Sequence, residues 1–298
     1  MVTTRVALHI SKCELVDFFT LDCLWLQGLL LRAKPDSQIA VVYVHGVDSN
    51  FYRSHLPIFV FDYIKAKGVS VFLVNNRGHD PINLLRDNKG NSILSGGNVE
   101  RFEDCLLDIE GALDRLSGLG YKKFVLMAHS GGSQKVAYYL NNKTDARIVG
   151  AVLIAPPDDY KVFKKVLGDK YKKTIRAAKL RIKTSLADKP SDEFLHFKSA
   201  RRILSLCDTD NFEARVFNLE QGFHEFGGIN KKILIILAGN DEHVEGPRQL
   251  MLKLKEANES ATVKIIKNAK HSFIGYEESV AKEVNKWLLK NALSNICF

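Results

Sequence analysis

The sequence predicts an α/β fold, a doubly wound and mostly parallel sheet with an inserted helical cap. Three observations predict it. First, six short apolar runs recur without the polar alternation of a half-solvated strand: IAVVYV (39–44), VSVFLV (69–74), FVLMA (124–128), IVGAVLI (148–154), ILIIL (233–237) and VKIIK (263–267). Such runs suit strands buried on both faces of a parallel sheet. Second, segments of helical period lie between them, and strands alternating with helices imply right-handed crossovers. Third, the alternation breaks once, from Pro156 to about Asn230, where the chain is polar, Lys-rich and mostly helical.

At the front, residues 15–20 and 24–32 read as an antiparallel pair of strands turning near Asp22. In residues 98–117, Phe102, Cys105, Leu106, Ile109, Leu113 and Leu116 fall on one helical stripe, with Asn98 available as N-cap. Segments 52–67, 134–140, 249–257 and 280–293 read as helices in the same way. The strand-free stretch is read as a cap over the carboxyl edge of the sheet. The expected division is a core of residues 1–155 and 231–298 and a Lys/Arg-rich cap of residues 156–230.

At 298 residues, 46% hydrophobic and 26% charged, the chain has the composition of an ordinary globular protein. No apolar stretch approaches the roughly 18 to 20 residues needed to cross a bilayer. His9 and Lys12 interrupt the run that a signal peptide would need, so a cytoplasmic location is expected. Five scattered cysteines (Cys13, Cys23, Cys105, Cys207, Cys297) without C-x-x-C spacing argue for reduced thiols and against a structural zinc site. A Cys13–Cys23 pair across the first hairpin is the less favoured alternative.

The net charge of +9 is local. Residues 160–202 hold 14 Lys or Arg against 4 Asp or Glu, and the remainder holds 29 basic and 30 acidic residues. No nucleic-acid motif accompanies the basic segment, and nucleic acid is not an expected partner. Two readings of it stand. The favoured one is a solvated helical surface, with Ile175, Leu180 and Ile182 turned toward the body; the other is a surface that steers an anionic substrate, acidic membrane or partner toward a pocket beneath.

The residues that carry chemistry begin at Ala128-His129-Ser130-Gly131-Gly132. They follow the strand FVLMA directly and precede a helix, the sharp turn that lifts a serine above a sheet. Small residues two before and two after the serine let the two backbones approach. Gly131 offers a backbone N–H at a helix start, where the dipole favours a developing oxyanion. A serine hydroxyl needs an adjacent base that is itself oriented by a third group. Asp241 in LAGNDEH ends the strand ILIIL, and His271 in NAKHSF follows VKIIK, so both should project from the same sheet edge as Ser130. Glu242, His243 and Asp158 compete for these roles, and position favours Asp241. His129 is read as packing under the turn. The strand IAVVYV ends in His45-Gly46-Val47-Asp48, whose glycine allows close approach to a substrate oxygen.

With VYVHG, NNRGHD (75–80), AHSGG, LAGNDEH and AKHSF, the chain resembles the α/β-hydrolase superfamily over nearly its whole length. More loosely it resembles an esterase-like subgroup that includes fungal siderophore esterases. The resemblance implies Ser130 as nucleophile, Asp241 and His271 as partners, and the amides of Val47 and Gly131 as oxyanion hole. Arg77 and Asp80 match a structural turn and receive no chemistry. The expected activity is a serine hydrolase acting on an ester or related acyl bond of a small molecule, with neither metal nor organic cofactor. An acyltransferase with the same triad and a non-catalytic ligand-binding protein are the alternatives. The sequence carries no signal of oligomeric state.

Overall fold

The computed structural model describes residues 13–34 and 36–293. The segment 1–12, read above for an export signal, and Cys297 lie outside the described residues. In chain order the first elements are β1 (Cys13–Phe19), β2 (Trp25–Leu31), β3 (Ile39–Val44), α1 (Leu56–Ile64) and β4 (Val69–Val74). A hairpin of β5 (Asn83–Arg86) and β6 (Ser92–Ser95) precedes α2 (Cys105–Gly118), β7 (Lys123–His129), α3 (Gly131–Asn142) and β8 (Ile148–Ile154). The insertion follows as α4 (Asp159–Leu167), α5 (Tyr171–Arg181), α6 (Ala200–Cys207), α7 (Phe212–Arg215) and α8 (His224–Gly227). The chain then returns through β9 (Ile233–Ala238), α9 (Pro247–Ala257), β10 (Ala261–Ile266) and α10 (Glu277–Asn291).

Eight strands form one sheet in the spatial order β1-β2-β4-β3-β7-β8-β9-β10. The two front strands pair antiparallel and β2 joins β4 antiparallel; every later neighbour is parallel. The apolar runs explain this directly. Every residue of β3, β4 and β9 is buried, because helices cover both faces. Along β3 the side chains alternate between two cores. Ala40, Val42 and Val44 enter the layer with Ile109, Leu113, Val136 and Leu250 of α2, α3 and α9. Ile39, Val41 and Tyr43 enter the other, with Val60, Val284 and Leu288 of α1 and α10. Each fully buried aliphatic side chain contributes roughly 1.5–3 kcal/mol. The predicted doubly wound sheet is therefore the observed one.

Within the insertion, α4, α5 and α6 close a small core of their own around Ala178, Phe194, Ile203 and Leu206. Farther on, Val216, Phe217, Phe223 and Phe226 join the larger cluster shared with α2 and α3.

Three local readings are corrected. The β5–β6 hairpin was not expected. Asn98 does not cap α2, which begins at Cys105 behind a 3-10 turn, Phe102–Asp104; its side chain instead holds residues of the insertion. Ile175 and Ile182 pack inward, but Leu180 is 61% exposed, so the packed face of α5 is narrower than the sequence suggested. Cys13 and Cys23 are exposed free thiols, the favoured reading of the sequence, and do not pair. Among the described residues, no helix is long and apolar enough to cross a membrane.

Candidate active site

Strand β7 ends at His129 and α3 begins at Gly131, so Ser130 alone makes the turn. Its backbone sits at φ 55° and ψ −134°, a region that side chains avoid at a cost of order 1–3 kcal/mol. The tight approach of α3 to the end of β3 accounts for it. A Cβ on Gly132 would lie 2.3 Å from the Val44 carbonyl oxygen and 2.7 Å from that of His45. Only glycine fits there. The Ser130 N–H donates to the Ile154 carbonyl at 2.9 Å, which ties the turn to β8.

Three side chains meet above the sheet edge. The Ser130 hydroxyl lies 2.8 Å from His271 Nε2. His271 Nδ1 lies 2.9 and 3.0 Å from the two oxygens of Asp241, whose side chain is 1% exposed. With the Nδ1 proton facing the carboxylate, Nε2 is left to accept from the serine hydroxyl. Asp241 also accepts from the His243 N–H at 2.9 Å. The His271 N–H donates to Glu242 at 3.3 Å.

The competing groups have other partners or support His271 from the side. Asp158 caps α4 by accepting from the Lys161 N–H at 3.1 Å, and it accepts from Asn218 at 2.9 Å. His129 donates from Nε2 to the His271 carbonyl at 2.8 Å. Burial pushes His129 down to about 3, so it stays neutral near pH 7. His243 packs edge-on at 4.3 Å between ring centroids and is also pushed down by burial.

The loop after β3 closes the site from the other side. A Cβ on Gly46 would lie 2.9 Å from Ser130 Cβ, and one on Gly131 would lie 3.1 Å from the Val47 nitrogen. The Val47 and Gly131 amides are therefore neighbours beside the serine. Among the described residues neither donates to a protein acceptor. His45 anchors the loop, with Nδ1–H donating to the Gly46 carbonyl at 2.8 Å and Nε2 accepting from the Asn76 N–H at 3.3 Å. The second bond requires a neutral ring, since a protonated Nε2 cannot accept, and burial pushes His45 down to about 3.

Sequence reasoning missed a buried set of charges behind this site. Lys135 on α3 donates to Glu100 at 2.7 Å and to Asn76 at 3.1 Å. Arg202 of α6 pairs with Glu213 of α7 and lies 3.5 Å from Glu100. Asp159, whose carboxyl burial pushes up to about 7, accepts from Gln134 at 2.6 Å. The available signal was a charged residue on an otherwise buried helix face: Lys135 beside Val136 and Ala137, and Arg202 beside Ile203 and Leu206. The NNRGHD segment is a structural turn, as expected. Arg77 donates to Asp22, Asp104 and Asp108, and Asp80 accepts from Asn50 and Tyr52.

This architecture is shared with solved hydrolases at low sequence identity. A siderophore hydrolase from Aspergillus fumigatus superposes with a TM-score of 0.66 at 16% identity, covering 94% of this chain and 98% of that one. An esterase from Pyrococcus furiosus matches with a TM-score of 0.57 at 17% identity over 94% of both chains. A carboxylesterase from Bacillus subtilis matches with a TM-score of 0.55 at 17% identity, over 96% of this chain and 93% of that one. These likenesses establish the α/β-hydrolase fold. No curated protein matches the sequence. A family described as "Protein of unknown function (DUF1749)" matches residues 102–296, and the chain belongs to that family.

Proposed function

We propose that the protein is a serine hydrolase that cleaves a carboxylic ester or related acyl bond through an acyl-enzyme on Ser130. The observation that carries the reading is the hydrogen-bonded chain from Ser130 through His271 to Asp241, built on a strained turn beside two amides that have no acceptor among the described residues. In the proposed reaction, Ser130 Oγ attacks the acyl carbon as its proton passes to His271 Nε2. Asp241 holds the Nδ1 proton and stabilises the imidazolium. The amides of Val47 and Gly131 receive the oxyanion. Collapse expels the alcohol, which takes the proton from His271. Water then attacks the acyl-enzyme with His271 as base, and Ser130 is regenerated.

The insertion 156–230 is proposed as the cap over this site. Lys172, Lys173, Arg176 and Lys183 are exposed and share one face of α5 and its following turn. Among the described residues none of them pairs with a carboxylate, whereas Lys179 is held by Asp208. That face supports a small-molecule acyl substrate bearing negative charge, drawn in by long-range attraction. A cytoplasmic location belongs to the same proposal; the free thiols of Cys13, Cys23, Cys105 and Cys207 support a reducing compartment.

The test is a screen of short- and long-chain p-nitrophenyl esters, neutral and anionic, against wild type and Ser130→Ala. Turnover that falls by several orders of magnitude in the variant is expected. Equal turnover by the two proteins would remove Ser130 from the reaction.

A further inference from the structure

A lysine of the insertion reaches the loop that presents Val47. Lys198 follows two residues with positive φ, His196 at 56° and Phe197 at 58°. Side chains avoid that conformation, and two in succession need compensation from their surroundings. It comes from the segment around Gly97. Asn98 donates to the His196 carbonyl at 2.8 Å, the Ser199 N–H donates to the Asn98 carbonyl at 2.8 Å, and Arg202 Nε donates to the Gly97 carbonyl at 3.0 Å. The strained turn delivers Lys198 into the interior, where its side chain is 1% exposed. There Nζ donates to Asn98 Oδ1 at 2.6 Å and to Asp48 Oδ2 at 3.3 Å.

Asp48 is the residue after Val47, and it too has positive φ, 57°. Among the described residues Lys198 is its one side-chain donor; its other oxygen, Oδ1, is buried without a partner. Gly97 leaves the room it occupies, since a Cβ there would lie 2.1 Å from Asp48 Oδ1. Without the ammonium, a partly buried carboxylate is left uncompensated, and desolvation drives it toward water. The 47–48 peptide would turn with it. The Val47 N–H shares that short loop, so its direction depends on the same anchor.

We propose, on the serine-hydrolase reading above, that Lys198 is a positioning residue that fixes the Val47 amide through Asp48. The direct consequence is that the oxyanion site is complete only while this part of the insertion is seated against residues 96–100. A misplacement of about 1 Å in such a donor costs on the order of 100-fold in rate.

The experiment uses the full-length protein, p-nitrophenyl acetate and butyrate, and the variants Lys198→Met, Lys198→Arg, Asp48→Asn and the Lys198→Met/Asp48→Asn double variant. Arg201→Met, which breaks the exposed Arg201–Asp188 pair in the same stretch, is the control. Lys198→Met is expected to lower kcat about 10- to 100-fold with KM within about 3-fold of wild type. Asp48→Asn should do the same, and asparagine tolerates the left-handed backbone, so this variant keeps the test alive if Lys198→Met does not fold. The double variant should lose no more than either single one, because both break one interaction. Lys198→Arg should restore part of kcat, the acid limb of the pH profile should keep its midpoint, and Arg201→Met should match wild type. Lys198→Met or Asp48→Asn with wild-type kcat, or losses that multiply in the double variant, would overturn the inference alone. A wild-type protein with no Ser130-dependent turnover would overturn the hydrolase reading and this inference with it.

Discussion

Gly46→Ala probes the oxyanion loop with one added carbon. The new Cβ would sit 2.9 Å from Ser130 Cβ, 3.1 Å from the His129 carbonyl oxygen and 3.4 Å from the Gly131 nitrogen. Ordinary carbon–carbon contact is about 3.5–4.0 Å, so loop and serine must separate by about 0.6–1 Å. The φ of Gly46 is not positive, so the effect is displacement rather than backbone strain. A donor at about 2.9 Å from an oxyanion would then stand near 3.5–3.9 Å, outside hydrogen-bonding range. Losing one such donor costs about 10²- to 10³-fold in kcat, or about 2.7–4 kcal/mol of transition-state stabilisation. KM should move little, because a ground-state carbonyl depends less on that donor than an oxyanion does. Steady-state kinetics on a short-chain ester, with melting temperatures alongside, make the comparison. A Gly46→Ala protein with kcat near wild type would refute the placement of Val47 and Gly131 as oxyanion donors. So would a loss confined to KM.

Three further outcomes are expected. Asp241→Asn should keep the fold and lower kcat on the order of 10⁴-fold through the wrong imidazole tautomer, while Asp158→Asn, whose partners are the α4 amide and Asn218, should stay within a few-fold; the reverse order would move the acid to β8. His45 should make the fold acid-sensitive: its folded pKa of about 3 lies below an unfolded value near 6.5, so the stabilisation is full above pH 6.5 and is lost as pH falls toward 3, by about 2.5–3 kcal/mol at pH 4.5. Urea unfolding at pH 7.5 and 4.5 should show a smaller pH difference for His45→Gln than for wild type, and parallel behaviour would count against the buried neutral ring. Charge reversal of Lys172, Lys173 and Arg176 should lower kcat/KM for an anionic ester and leave a matched neutral one unchanged, as should raising salt from 20 to 500 mM, since screening shortens from about 30 Å at 0.01 M to about 3 Å at 1 M; equal responses of the two esters would reduce the basic face to a solvated surface.

What was legible in the sequence was what depends on local pattern. Strands β3, β4 and β8 start and stop where their apolar runs do, because a strand buried on both faces needs an unbroken run and tolerates no alternative. Ser130, Asp241 and His271 could be brought together on paper because each follows the carboxyl end of a parallel strand, although β10, which precedes His271, is a partly exposed edge strand. The β5–β6 hairpin escaped notice because its strands are short and mostly exposed, leaving little apolar signal beyond the Asp87-Asn88-Lys89-Gly90 turn. Asn98 was misread for a different reason. Its neighbours fit a capped helix, but its side chain is claimed by Lys198 and His196, about a hundred residues away. The pairings of Lys135 with Glu100 and of Lys198 with Asp48 likewise join segments far apart in the chain, where helical or strand period carries no information. Leu180 fits an amphipathic stripe, yet the insertion buries a narrower face than that stripe allows.

The central claim is that Ser130 is an activated nucleophile, and covalent trapping tests it most directly. The protein is treated with a fluorophosphonate, digested, and its peptides mapped by mass spectrometry, with His271→Ala and Ser130→Ala in parallel. One adduct per chain on Ser130 is predicted, strongly slowed in His271→Ala and absent in Ser130→Ala. No adduct on wild type under conditions that label a control serine hydrolase, or an adduct on another residue that persists in Ser130→Ala, would contradict the account.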